Sequence, residues 1–496
     1  MLLEALDWAA AAAEPGDAAR LLAAQADLLG VMAAGRGGLR SGPAGNAAWQ
    51  PALQALEHES IGAGVNRLAE VRRDWLGSPD RLIRAARHYE RAAQTLVRLS
   101  VMRVMDQVEL CRADRPQPGV WVTARCPARA DIAGGWSDTP PICYEMGGLV
   151  VDLAITVDGV KPIGARARRT ADPATGVRLK LCGPHGDQVL ELTSLDSIRD
   201  YTSPAAPGQL LKCALIVTNI ISLESDTPLA EQLKQTVGGG LEVETWSRLP
   251  QGSGMGASSI LAAALVSVLW TVSGSGYSKN DVIHATLVPG AVGLPRAACG
   301  RTLPAASRMR PSYCSAPGQE RQHRRSPRCE WVPVPSSLPD TLARHCLLRV
   351  YGPSAAGQEP PSDGPYRNWY AREAAAGGDL QETGGDGSAG CAPRWLTGTW
   401  RAIGKKMSAY NSQKSELDAV GAGRGGAGKS SPRCGLCCSE ATIMGAGGGG
   451  FLLVLTRQPD QAEAVRAALE ALDMPEERLS VHTAGPGPTR AGGHRR

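Results

Sequence analysis

Three glycine-rich stretches in this chain have the composition to cradle a phosphate, and the residues around each decide whether it can. They are Leu249–Ser259 (LPQGSGMGASS), Gly421–Ser430 (GAGRGGAGKS) and Gly445–Gly450 (GAGGGG). Backbone N–H groups hold a phosphate where a glycine turn runs into a helix N-terminus. The first stretch meets both demands: an alternating segment leads in, Gly252, Gly254 and Gly256 make the turn, and ASSILAAALVSVLWTV follows as a long apolar helix. Ser258 and Ser259 fall in its first turn, where a hydroxyl can reach Mg²⁺ or a phosphate oxygen. A plain strand-to-helix turn with a serine N-cap would use the same residues. The second stretch fits the P-loop pattern letter for letter through Gly423, Gly428, Lys429 and Ser430. However, Ser431-Pro432 follows at once, RCGLCCSE is no amphipathic helix, and KSELDAV is no buried strand. No helix dipole points at that loop, so the match is one of composition. The third stretch enters a strand rather than leaving one, and suits a loop that a ligand or another backbone approaches closely.

Further chemistry-bearing residues crowd Cys126–Gly148, CPARADIAGGWSDTPPICYEMGG. Asp138, in a Gly/Trp turn, suits a polyol because a buried acceptor rejects sugars that lack the matching hydroxyl. As the residue before Thr139-Pro140 it equally suits an Asx-type turn. Arg129 reads either as a phosphate contact or as an ion-pair partner. Trp136 reads as core or as a sugar platform, and Asp131 as a carboxylate that satisfies local backbone. Cys434 and Cys437 have C-x-x-C spacing, but no second pair or nearby histidine completes a zinc site.

The elements that must position these groups can be read from periodicity. Residues 1–115 read as a helical segment, clearest from Ser78-Pro79-Asp80, where a serine N-cap, an early proline and an acid begin a helix. Leu82, Ala86, Tyr89, Ala93 and Leu96 then recur at helical spacing. Residues 116–288 mix strands and helices, with Leu241, Val243 and Thr245 alternating against Glu242, Glu244 and Trp246. That mixture predicts an α+β or α/β domain. From Pro289 to about residue 440 proline, arginine, serine and cysteine crowd the chain and no period is sustained, which predicts irregular structure. Order returns over 441–496, with FLLVLT as a buried strand, Pro459–Leu472 as a helix and RLSVHT as a last strand.

Composition narrows the classes. At 496 residues the chain is long enough for about three domains of roughly 150 residues. A net charge of +5 calls for neither a nucleic-acid nor a membrane partner. The acidic start MLLEALDWAAAAAEPGD lacks the basic region of a secretory signal, and the apolar run Ile260–Val272 is too short to span a bilayer. Thirteen scattered cysteines, an odd number, predict reduced thiols in a cytoplasmic protein. Oligomeric state is not readable.

Taken in order, CPARADIAGGWSDTPPICYEMGG, LPQGSGMGASS and GAGGGG resemble the three motifs of the GHMP small-molecule kinases. GGWSDTPP is similar to the sugar-kinase branch that holds the L-fucose and heptose-phosphate kinases. Residues 37–44, 84–90, 161–169 and 368–372 (GGLRSGPA, RAARHYE, KPIGARARR and NWYAR) favour the L-fucose kinases. The likeness runs almost continuously over 37–288 and returns at 441–456. It implies an α+β, two-domain kinase fold behind the helical segment. It also implies ATP and Mg²⁺ as cofactors, and phosphorylation of the anomeric hydroxyl of L-fucose on the salvage route to GDP-fucose. By resemblance, Gly252, Ser253, Gly254, Met255, Gly256, Ser258 and Ser259 hold the nucleotide, with Ser258 offering its hydroxyl to Mg²⁺. Arg129 lies near the transferring phosphate; Gly135, Trp136 and Asp138 face the sugar; Gly447 and Gly448 close the site.

Two departures temper these expectations. After HATLV-type text the family continues into a Gly-rich stretch with a Gln-Asp-Gln core, preceded by a glutamate for Mg²⁺. Here His284–Val288 runs into PGAVGLPRAACGRTL, with neither acid present. The abrupt change at Pro289 points to an altered reading frame, a mispredicted exon or a decayed gene, and predicts weak or no turnover. The family's nucleotidyltransferase-like N-terminal region is also expected to be absent.

Overall fold

The computed structural model of the chain describes residues 2–33, 46–102, 105, 108–134, 148–183, 186–202, 206–249, 253–293, 312–316, 328–331, 337–352, 400–417, 438–444, 450–470 and 481–485. Two compact units divide the chain, Met1–Val108 and Glu109–Arg496.

The first unit holds α1 (Leu2–Ala11), α2 (Pro15–Met32), α3 (Gln50–His58), α4 (Ile61–Arg73) and α5 (Pro79–Met102). Ser78 begins α5 as expected: its carbonyl accepts from Leu82 N–H at 2.9 Å. Its hydroxyl, however, turns to the Asp80 carboxylate. Leu82, Ala86, Tyr89, Ala93 and Leu96 are all buried and pack with Leu22, Leu29, Trp49 and Leu68 in one core. Arg72 on α4 ties that core together. Its guanidinium donates to Asp7 of α1 (2.6 and 2.8 Å), Gln25 of α2 (2.6 Å) and Tyr89 of α5 (2.7 Å).

His88 stacks on Trp49 with ring centroids 4.7 Å apart. Burial, helped by Arg91 and Arg87, pulls its pKa from 6.5 down to about 4. The unfolded chain therefore takes up a proton near pH 6.5 that the folded unit refuses until about pH 4. Stability is full above 6.5 and declines as pH falls from 6.5 towards 4. Urea midpoints at pH 7.5 and 5 are expected to differ in the parent and to converge in His88→Phe.

The second unit opens with β1 (Cys111–Arg112), β2 (Val122–Cys126), β3 (Ala128–Ala133), β4 (Gly148–Val157), β5 (Ile163–Arg169), β6 (Val177–Gly183) and β7 (Gly186–Leu192). Then come α6 (Gln209–Val217), α7 (Leu229–Thr236), β8 (Leu241–Ser247), α8 (Ala257–Ser273), β9 (Ser275–Gly276) and α9 (Lys279–Gly293). A five-stranded sheet in the order β2-β5-β8-β6-β7 is antiparallel except for the β6–β8 pair. On β8 the expected alternation holds: Leu241, Val243 and Thr245 are buried. Glu242 and Glu244 instead pair with Arg168 and Arg166 of β5, each at 2.6 Å. Helix α8 packs on this sheet and buries Ile260, Leu265, Val268, Leu269 and Val272. Its apolar side chains, each worth about 1.5–3 kcal/mol when fully buried, hold the helix start in place.

The remaining elements are β10 (Ser312–Ala316), β11 (Arg328–Trp331), α10 (Leu338–His345), β12 (Cys346–Gly352), α11 (Trp400–Leu417), β13 (Cys438–Ile443), β14 (Gly450–Thr456), α12 (Ala462–Glu470) and β15 (Val481–Gly485). A second sheet runs β11-β10-β4-β15-β12-β14-β13, with β3 also paired to β4. The fold is α+β. Regular structure thus continues where the sequence reads as irregular after Pro289. Helix α9 runs through Pro289 to Gly293; a proline removes one amide from the ladder, and here the loss falls in the closing turns. Strand β12 lies between β14 and β15 as a central strand. Among the described residues Cys111, Cys126, Cys182, Cys213 and Cys346 are free thiols. No helix among them is long and apolar enough to cross a membrane.

Candidate functional site

The site is assembled from the loop before α8. Gly254 and Gly256 both take left-handed backbone, at φ 73° and 70°, a conformation that costs any residue with a Cβ. Gly256 is the N-cap of α8 and supplies no side-chain cap. Its carbonyl accepts from Ile260 N–H at 3.1 Å, closing the first turn. The amides of Ala257, Ser258 and Ser259 precede that bond and lack intrahelical partners by helix geometry. With the helix dipole behind them they have the arrangement that suits an anion. Met255 is fully buried and anchors the loop in the core, and its N–H meets the Ser253 hydroxyl at 3.4 Å. Ser258 is exposed and Ser259 half-buried, so the Ser258 hydroxyl is open to a ligand.

Two other strands converge on this loop. Arg129 on β3 is 4% exposed, and its Nη2 donates to the Gly254 carbonyl at 3.3 Å. Its Nη1 lies 3.5 Å from the Asp152 carboxylate of β4. From the other side, Phe451 N–H at the start of β14 donates to the Ser253 carbonyl at 3.3 Å. The chain's only phenylalanine therefore stitches the strand that follows the third glycine run to the loop of the first. Of the two alternatives for Arg129, the ion-pair partner is the one seen here, and the side chain also touches the loop.

Asp131, expected to satisfy local backbone, also has a distant side-chain partner. Its Oδ2 accepts from Tyr410 Oη at 2.7 Å, a partner 279 residues away on α11. The sequence reasoning singled out neither Tyr410 nor Asp152. Tyr410 was findable, because Ile403, Met407 and Tyr410, all buried, recur at helical spacing. Asp152 sits inside the apolar strand GLVVDLAITV, where a lone acid signals a buried partner.

Gly135, Trp136, Asp138, Gly252, Gly447 and Gly448 lie outside the described residues, as do Gly421–Ser430 and Cys434–Cys437. The described residues fit a phosphate by the geometry above. A metal ion finds less: no group of three or more histidine, cysteine or acidic side chains among the described residues could hold one. The one proposed ligand, Ser258, is among the described residues.

Residues 225–299 match the GHMP kinases N terminal domain, and this span includes α7, β8, the glycine loop and α8. The chain is 36% identical over 173 residues to the L-fucokinase/L-fucose-1-P guanylyltransferase of Bacteroides fragilis, across 34% of this chain and 17% of that protein. It is 35% identical over 162 residues to the bifunctional fucokinase/GDP-fucose pyrophosphorylase of Arabidopsis thaliana, across 33% of this chain and 14% of that protein. The matched stretch thus spans less than a fifth of either relative's length. A D-glycero-D-manno-heptose 1-phosphate kinase from Bacteroides thetaiotaomicron superposes with a TM-score of 0.47 at 14% identity, over 74% of this chain and 97% of that one. Over residues 225–299 the chain is thus similar to the N-terminal domain of the GHMP kinases, and over about a third of its length it is similar to two fucokinases.

Proposed function

We propose that the chain is an ATP-dependent sugar kinase of the L-fucose type, impaired in turnover. In this proposal the γ-phosphate passes to the anomeric hydroxyl of L-fucose, the first step of a salvage route to GDP-fucose. The observation that carries it is the convergence of Arg129 and Phe451 on the Ser253–Gly256 loop at the N-terminus of α8. The likeness to the fucokinases supports the choice of sugar. Bound ATP would supply the phosphoryl group, with its phosphates on the amides of Ala257–Ser259 and an accompanying Mg²⁺ on Ser258. Arg129 would neutralise charge beside the loop, since phosphoryl transfer depends mainly on alignment and charge compensation. Gly135, Trp136 and Asp138 would hold the sugar, and Gly447 and Gly448 would close over it.

The impairment follows from the residues after Val288. No acid occurs between Asp281 and Glu320, and a missing positioned base costs about 10²–10⁴-fold in rate. The same absence favours a second reading, a nucleotide- and sugar-binding protein without turnover. L-fucose-dependent ADP release from the purified chain, beside Asp138→Asn, separates the cases. We expect ATP to bind and ADP release to stay near background in both proteins. Robust release from the parent, lost in Asp138→Asn, would overturn the impairment. Failure of the parent to bind ATP would overturn the kinase proposal itself.

A further inference from the structure

Asp152 belongs to no glycine loop and to no stretch that the chain's motifs cover. It faces Asp131 across the β3–β4 ladder, its side chain is 1% exposed, and Arg129 Nη1 lies 3.5 Å from its Oδ1. The other arm of the guanidinium reaches the Gly254 carbonyl. Arg129 is therefore suspended between a carboxylate on one strand and the loop before α8. A guanidinium stays protonated in proteins, and at 4% exposure its charge is tolerated only with an opposite charge in reach. Asp131, two residues along β3, is engaged by Tyr410 Oη. Asp152 is a carboxylate paired with the arginine.

We propose that Asp152 is a positioning residue: it sets the Arg129 guanidinium against the Ser253–Gly256 loop, in the attitude that meets the phosphates of a nucleoside triphosphate. The nucleotide half of this statement rests on the kinase proposal, whereas the positioning half concerns this chain alone. The chemistry is a buried ion pair, at 3.5 Å a charge contact rather than a hydrogen bond. A planar fork held on one side by a carboxylate presents its remaining N–H groups in a fixed direction, and a released fork does not.

The experiment is a double-mutant cycle on the full chain with a fluorescent N-methylanthraniloyl ATP as probe, alongside NMR of the Arg129 side-chain N–H groups. Asp152→Asn and Arg129→Met are each expected to weaken the probe by about ten- to hundredfold, the range of a charge-assisted hydrogen bond. The double variant should be no weaker than Arg129→Met alone, because Asp152 acts through the arginine. The Arg129 N–H signals should be slow to exchange in the parent, lost in Asp152→Asn and recovered in Asp152→Glu. A purely structural role would lower the melting temperature without singling out those signals. If Asp152→Asn does not fold, Asp152→Ser takes its place in both measurements. Additive losses in the cycle, or Arg129 signals unmoved by Asp152 substitution, overturn the proposal. A parent that binds no probe counts against the kinase proposal, and the Arg129 signals then still decide whether Asp152 positions it.

Discussion

Arg72→Met is expected to lower the unfolding free energy of the helical unit by about 3–5 kcal/mol, the cost of breaking a buried ion pair from one side. The guanidinium joins α1, α2, α4 and α5 through Asp7, Gln25 and Tyr89. Its side chain is 3% exposed and that of Asp7 12%, so water cannot take over the lost bonds. Burial already pushes the Tyr89 phenol well above its usual range, and deprotonation offers no escape. In urea the midpoint should fall by roughly 1–5 M at the slopes common for small units. Arg72→Met combined with Asp7→Leu should recover much of the loss, since an apolar replacement of both partners is often neutral. A single variant within about 0.5 kcal/mol of the parent, the range of ordinary surface substitutions, would show that this network does not hold the helices together.

Gly256→Val has the second large effect, and it should fall on ligand binding more than on folding. The residue caps α8 in left-handed backbone, which costs an L-residue roughly 1–2 kcal/mol and a β-branched one more. Relief of that strain turns the first amides of α8 away from a shared point. Losing two charge-assisted bonds at about 1.5 kcal/mol each gives roughly 3 kcal/mol, or about 10²-fold in ATP affinity. Circular dichroism should change little, because Ile260 to Val272 stay buried against the sheet. An affinity equal to the parent's would mean that the phosphates lie elsewhere.

Much of this was legible in the sequence for identifiable reasons. Strand β8 shows strict alternation because one face of its sheet is core and the other carries the Arg166 and Arg168 ion pairs. Helix α5 announces its start through Ser78-Pro79-Asp80. A similar signature with one residue inserted, Ser337-Leu338-Pro339-Asp340, begins α10, where Thr341 N–H bonds the Ser337 carbonyl at 3.0 Å. It went unread because proline, serine and arginine crowd the neighbouring residues, so composition masked a local signal. Strand β12, CLLRVYG, is short, with Cys346, Leu347 and Leu348 buried, and a short apolar run has no period to read. Its identity as a strand comes from β14 and β15, which arrive about 100 residues later.

For the candidate site, the glycine loop was legible because Gly254 and Gly256 need backbone that other residues avoid. The Asp152–Arg129 and Tyr410–Asp131 contacts were not. Each joins strands or helices that only the folded sheet brings together. Sequence spacing carries no record of a pairing between residue 131 and residue 410.

The central claim is that nucleotide phosphates bind at the start of α8 rather than at the formal P-loop match Gly423–Ser430. Equilibrium binding of ATP to the purified chain, to Gly256→Val and to Lys429→Ala tests it most directly. We expect the parent and Lys429→Ala to bind alike and Gly256→Val to lose about 10²-fold. Loss of binding in Lys429→Ala with Gly256→Val unchanged, or no binding by the parent, would contradict the claim.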